Sequence, residues 1–311
     1  MKSRRMLTRT TTKEDIMPTP AAAHPLARIL LATDLSARSD RALDRAVALA
    51  RETGAALTVL HVSEADAAEE IGTEDRLRQA EARLLADLPA AVLAEIGAPS
   101  GPVTIRTRVA DGDPAAVIRR IAEDDGFDLI VTGLARSEPL GRLLLGDTVD
   151  RLLRRSAVPV LVVRRRATGP YRRMLIATDL SAPARRAAEA ALTLLPEVPA
   201  TVIHAFETPF QKISTDPAVQ IRAHGDTAAR RLTDEIDALA VPTARLDGLT
   251  RIVLPGPADD AVATELARDH ADLVVLGTRG QGVVAEAVLG SMAKRILARV
   301  EPDVLIVPRG H

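Results

Sequence analysis

The sequence predicts an α/β protein built as two tandem, open, doubly wound parallel five-stranded sheets. Three observations lead there: a long internal repeat, short continuously apolar runs, and amphipathic segments between those runs. The repeat is plainest where Arg28–Ala37 (RILLATDLSA) matches Arg173–Ala182 (RMLIATDLSA) at eight of ten positions, at an offset of 145. DLIVTG at 128–133 answers DLVVLG at 272–277, LLG at 144–146 answers VLG at 288–290, and VPVLVV at 158–163 answers PDVLIV at 302–307, all at an offset of 144. That period is far too long for a solenoid and marks a duplicated domain. The copies span 24–166 and 171–311, joined by Arg166–Pro170.

In the first copy, Ile29–Ala32 is a short apolar run, as expected of a strand covered on both faces. Ser36 or Ser39 caps the next helix, in which Leu43, Ala46, Val47 and Ala50 share a face, and Gly54 ends it. Ala56–Val62 reads as the second strand, and Leu77, Ala80, Leu84 and Leu88 mark a long amphipathic helix. Val103–Val109 is the third strand, followed by a helix opened by Asp113 and Pro114. Leu129–Thr132 and Val160–Val163 are the fourth and fifth, with a helix after Gly146 between them. The second copy repeats the order, with strands at Met174–Ala177, Ala200–His204, Thr250–Leu254, Leu273–Leu276 and Val304–Val307. Its helices start near Pro183, Pro217, Pro257 and Ser291. This alternation predicts right-handed βαβ units, whose ligands bind beyond the carboxyl ends of the strands.

Composition narrows the functional classes. The 311 residues are 47% hydrophobic and 27% charged, a globular balance, with a net charge of −1 that supplies no field for nucleic acid or an anionic membrane. Cysteine is absent, which removes disulfides, thiolate metal sites and a thiol nucleophile. Three Phe, one Tyr and no Trp leave little to stack on single-stranded bases. No apolar run approaches the roughly 20 residues that span a bilayer. Residues 1–23 read as a disordered polar leader without a signal-peptide core, and Met17 is an alternative start. The expected compartment is the cytoplasm.

The chemistry gathers at the strand ends. Both copies place Ala-Thr-Asp after strand one, giving Asp34 and Asp179. Such an Asp can accept from a ribose hydroxyl or from its own turn. After strand four, the second copy reads G-x2-G-x9-G-S, from Gly277 and Gly280 to Gly290 and Ser291. The glycines allow close backbone approach, the helix starting at Ser291 favours an anion, and Arg279 adds a charge. The spacing is neither a P-loop nor the dinucleotide fingerprint, yet it points to phosphate.

These residues resemble the universal stress protein family. The resemblance covers essentially residues 24–309 and implies a tandem member with an adenine nucleotide α-hydrolase-like fold. It implies that Ala177, Thr178 and Asp179 contact adenine and ribose, and that Ala205 lines the adenine pocket. Leu276, Gly277 and Gly280 would border ribose and phosphates, and Gly290, Ser291 and Met292 would bind the phosphates. The implied cofactor is ATP, with or without Mg²⁺, in the second domain, and the implied role is in the stress response. No catalytic residue and no protein metal ligand are expected.

The first copy departs from the pattern. Arg136 stands where the second Gly should be and Asp147 replaces the Ser, while Gly133 and Gly146 remain and Arg136 with Thr148 leaves some room for a different anionic ligand. A carboxylate about 4 Å from a phosphate is repulsive by roughly 1 kcal/mol in water, so no cofactor is expected there. Asp147 also reads as a helix cap. Two other readings stand beside a nucleotide sensor: a slow ATPase, for which no Walker-type Lys is present, and a nucleotide-independent interaction module. The resemblance implies that the fifth strands pair, here within one chain, with a homodimer of tandem chains as a further option. His61 and His204, both ending strand two, read as structural or pocket-edge residues. The arginines at 164–166, 172 and 173 read as a solvated linker.

Overall fold

The computed structural model describes residues 26–36, 39–63, 73–93, 103–134, 146–207, 217–278 and 289–308. The leader assigned to residues 1–23 lies outside them. In the first copy the strands are β1 (Arg28–Thr33), β2 (Ala56–Ser63), β3 (Ile105–Asp111), β4 (Leu129–Gly133) and β5 (Val160–Val163). Between them run α1 (Ser39–Thr53), α2 (Thr73–Asp87), the short α3 (Ala90–Leu93), α4 (Pro114–Asp124) and α5 (Asp147–Arg155). The second copy has β6 (Met174–Thr178), β7 (Ala200–Phe206), β8 (Thr250–Pro255), β9 (Leu273–Gly277) and β10 (Asp303–Val307). Its helices are α6 (Ala182–Leu194), α7 (Pro217–Asp237), the short α8 (Thr243–Asp247), α9 (Ala258–Asp269) and α10 (Ser291–Arg299).

Local chemistry explains the boundaries. Gly54 adopts φ +73 and donates to the Ala50 carbonyl at 2.9 Å, closing α1 in the left-handed cap that glycine takes without penalty. The Asp113 carboxylate accepts from the Ala116 amide at 3.0 Å and caps α4, whose first residue is Pro114. Most strands run a residue or two past their apolar runs, because pairing with a neighbour carries the chain into the polar turn. The third strand starts at Ile105 rather than Val103, which is buried without joining the ladder. The short α3 and α8 lack the length that makes a periodic pattern visible.

Within each copy all pairings are parallel, and the two copies join edge to edge. The ten described strands form one sheet in the order β3-β2-β1-β4-β5-β10-β9-β6-β7-β8. The junction is the antiparallel pairing of β5 with β10: Val304 faces Val162, Leu305 faces Leu161 and Ile306 faces Val160. Leu161 and Leu305 are the same position of the repeat, so a pseudo-twofold axis passes between them. The fifth strands thus meet within one chain as an isologous dimer interface would.

Two apolar layers run the length of this sheet. One face buries Leu31, Val59, Leu161, Ile176, Val275 and Leu305 beneath α1, α2, α6, α7 and α8. The other buries Leu30, Ile130, Val162, Leu175, Val274 and Ile306 beneath α4, α5, α9 and α10. Each layer draws residues from both copies, so the halves share their core.

The linker departs from the solvated segment its charges suggest. Asp303, only 1% exposed at the start of β10, accepts from the Arg164 amide at 2.8 Å and the Arg165 amide at 3.1 Å. Its second oxygen accepts from the Tyr171 hydroxyl at 2.7 Å and lies 3.3 Å from Arg45 Nε. Arg45 stacks on the Tyr171 ring at 3.9 Å and donates to the Gly169 carbonyl at 2.8 Å. A buried carboxylate with this many donors fixes the backbone, and linker charge alone cannot reveal such a partner. Neither Asp303 nor Arg45 is repeated; Pro159 and Ala190 hold the equivalent positions.

Burial, and then the neighbouring Asp303 carboxylate, hold the Tyr171 hydroxyl protonated well above its usual value of 10.0. With the folded value raised, stability is full below pH 10 and is expected to fall as the pH climbs beyond it, because only the unfolded chain ionises there. Tyr171 is the one tyrosine and no tryptophan is present, so phenolate absorbance reports this group alone. That absorbance is expected to appear together with loss of helical circular dichroism, not before it. Ionisation in a folded chain would refute the buried position.

Candidate functional site

The second copy has its topological switch point between β6 and β9, since β6 is flanked by β9 on one side and β7 on the other. A crevice opens at the carboxyl ends of strands at such a point. Because β5 and β10 are antiparallel, the equivalent crevice of the first copy opens at the opposite edge of the sheet.

The turn after β6 is tightly specified. The Thr178 hydroxyl accepts from the Leu180 amide at 3.0 Å, and Asp179 Oδ1 accepts from the Ser181 amide at 3.1 Å. Leu180 sits at φ 62, a left-handed conformation costing a non-glycine residue about 1–2 kcal/mol. Leu35 repeats it at φ 58. The strain turns the chain sharply, so that Ser181 can cap α6 by accepting from the Ala184 amide at 3.4 Å. Nothing in the sequence marks Leu180 for this conformation, which glycine or Asn would advertise.

His204 Nδ1 lies 2.9 Å from the Thr178 carbonyl, as His61 Nδ1 lies 3.0 Å from that of Thr33. A carbonyl only accepts, so Nδ1 carries a proton and donates it there. Both histidines therefore tie strand two to the end of strand one, in keeping with the structural or pocket-edge reading.

The structure brings Ala177, Ala205, Leu276 and Met292 into one apolar layer at this edge. Leu276 is buried within it, and the other three are half-buried against it. Gly277 follows Leu276, and a Cβ there would meet the Pro183 carbonyl oxygen at 3.1 Å and the Ala184 amide nitrogen at 3.3 Å. The close approach Gly277 permits is thus to the first turn of α6. Arg279 and Gly280 lie outside the described residues, as does Arg136.

Thr278 is the connector that sequence reading overlooks. Buried, it donates to the Val307 carbonyl at 3.3 Å and accepts from the Gly290 amide at 2.8 Å. This fixes the start of α10 beside the end of β9. Gly290 is the N-cap, at φ −54 and ψ 146, and among the described residues no side chain caps the helix. Ser291 is exposed at the first helical position and Met292 is half-buried behind it. The first amides of α10 therefore have no intrahelical partner and, among the described residues, no side-chain cap, the arrangement that suits an anion. The donor set fits the phosphates of a nucleotide.

The first copy builds the same frame with different chemistry. Gly146 caps α5 at φ −59 and ψ 153. Asp147 is the first helical residue and exposed, so it is not the cap that its type suggests: the extended Gly146 has taken that position. Its carboxylate stands where Ser291 offers a hydroxyl. Asp34 Oδ1 accepts from the Ser36 amide at 3.0 Å, the Ser36 hydroxyl at 2.7 Å and the Ser39 hydroxyl at 2.6 Å. Burial raises the Asp34 pKa, but these bonds outweigh it and hold the carboxyl below its usual value. Ala184 stands at the position of Ser39, so the second copy lacks that hydroxyl. Among the described residues no group of three or more His, Asp or Glu is placed to hold a metal ion, and no helix is long and apolar enough to cross a membrane.

Fold and site define a tandem α/β protein with a five-stranded doubly wound half on each side of an internal dyad. The universal stress protein family model matches residues 26–164 and again 170–308. The chain belongs to the universal stress protein family. A Staphylococcus epidermidis protein assigned to that family is 27% identical over 137 residues, 44% of this chain and 82% of its own length. A crystal structure of a universal stress protein from Archaeoglobus fulgidus shares the fold over 91% of this chain and 96% of its own, at 20% identity and a TM-score of 0.62. A Pseudomonas aeruginosa protein of unknown function does so over 93% and 95%, at 20% identity and 0.61.

Proposed function

We propose that the second domain binds an adenine nucleotide, ATP with or without Mg²⁺, and that the chain acts as a regulatory sensor in the cytoplasmic stress response. The observation that carries this reading is the start of α10. Gly290 starts a helix with no side-chain cap among the described residues, held to the end of β9, the strand next to the one that ends in the Asp179 turn. The phosphates would lie on the amides and hydroxyl of Ser291 and Met292, the ribose near Asp179, and the base over Ala177 and Ala205. In the first domain the Asp147 carboxylate, in place of the Ser291 hydroxyl, repels a phosphate, which supports a structural role.

The test is calorimetric titration of nucleotide-free protein with Mg²⁺-ATP. One ATP per chain is expected. Ser291→Asp is expected to weaken binding at least about fivefold, from roughly 1 kcal/mol of repulsion, while leaving the fold intact because an acid suits a helix start. Asp147→Ser is expected to leave the affinity unchanged. Failure to bind at millimolar ATP, or equal affinity in Ser291→Asp, would refute the reading.

A further inference from the structure

Beside the sheet junction lies an open cleft of about 980 Å³, independent of the α10 site. Six arginines line it: Arg41, Arg45, Arg164, Arg165, Arg166 and Arg172. Three carboxylates share the lining, Asp40, Asp272 and Asp303, leaving an excess of three positive charges in a protein whose net charge is −1. A concave surface with an excess of one sign draws counter-ions.

The arginines fall into two groups. Arg45 is buried and committed to Asp303 and Gly169. Arg164 is half-buried and donates to the Leu297 carbonyl, and burial lowers its pKa against the pull of Asp303. The other four are held loosely. Exposed Arg41 donates to the Arg164 carbonyl at 3.0 Å. Arg166 pairs with Asp44, Arg165 with Glu301 and Arg172 with Asp272, with arginine side chains 72%, 60% and 81% exposed. Exposed pairs of this kind contribute little and exchange readily. A guanidinium has five N–H donors, and these contacts engage one on Arg41, Arg165 and Arg166 and two on Arg172.

We propose that this cleft binds a small anion carrying two or more linked phosphates. Planar guanidinium forks match phosphate oxygens pairwise. The forks come from α1, from the segment after β5 and from the segment before β6, so several phosphates are needed to span them and displace the resident carboxylates. The clamp of Asp303 on the Arg164 and Arg165 amides presets the wall, so binding needs little rearrangement.

The test uses the full chain at low salt, titrated with inorganic tripolyphosphate. One equivalent is expected to bind, with affinity falling as salt screens the site. Arg41→Gln/Arg166→Gln alters exposed side chains only, and is expected to lower affinity at least about tenfold, the effect of losing a charged hydrogen bond. Gly280→Arg, placed in the α10-site motif, is expected to leave tripolyphosphate binding unchanged. In that Gly280→Arg background, competition by ATP would identify the ligand as nucleotide phosphates, and absence of competition as a free oligophosphate. No binding at millimolar tripolyphosphate, unchanged affinity in the double variant, or loss of binding in Gly280→Arg would each overturn the cleft site. The last two would leave the ATP reading untouched.

Discussion

Asp303→Ala is expected to cost about 3–5 kcal/mol of stability, the penalty for removing one partner of a buried ion pair. The substitution strands three donors at once, the amides of Arg164 and Arg165 and the Tyr171 hydroxyl, and takes the ion-pair partner from Arg45, whose side chain is 6% exposed. Arg45 would bear most of the cost, because its buried guanidinium would lose the carboxylate 3.3 Å from its Nε. Asp303→Asn keeps the shape and some acceptors, and is expected to cost less. A double-mutant cycle with Arg45→Met separates charge from packing. If the ion pair dominates, Asp303→Ala combined with Arg45→Met is expected to lose less than the sum of the two. The measurement is urea denaturation followed by circular dichroism. A loss below about 1 kcal/mol for Asp303→Ala, or strict additivity in the cycle, would mean that the linker is not held by this carboxylate.

This clamp shows where the sequence was legible and where it was not. Duplication made the strand order within each copy readable, because every apolar run occurs twice with the same partners in sequence. Caps at Asp113 and Gly54 were readable for a local reason: side-chain type and backbone conformation act over a few residues. The pairing of the fifth strands was an implication of family likeness rather than of pattern. Val160–Val163 and Asp303–Val307 are apolar almost throughout, so their residues do not say which edge meets which. Asp303 was invisible because its partners lie more than 130 residues away and its repeat equivalent is Pro159. At the candidate site, Gly277, Gly290 and Ser291 were visible in the motif, whereas Thr278 and the left-handed Leu180 were not. Their roles rest on backbone geometry that residue type does not encode. Gly277 carries a further lesson: its lack of a Cβ serves the first turn of α6, a packing need that reads in sequence like a ligand-binding one.

Leu161→Asp is expected to cost more than about 4 kcal/mol and to loosen both halves of the molecule. Leu161 is 2% exposed and faces Leu305 across the dyad, so a carboxylate there would be buried among apolar side chains. Two independent sheets would confine the damage to the first copy, because Leu161 belongs to β5 alone. A shared core spreads it, since the layer holding Leu161 continues through Leu305 to Val275 and Ile176. Native-state hydrogen exchange distinguishes the cases. Amides of β9 and β10 are expected to lose protection together with those of β4 and β5. Leu161→Ala, a milder change expected to cost about 2–5 kcal/mol, keeps the test available if the charged variant does not fold. Unchanged protection in β9 and β10 in either variant would show that the β5–β10 ladder adds contact without coupling. A joint loss would make the ten strands one folding unit, so that a ligand stabilising the α10 site would also protect the distant first copy.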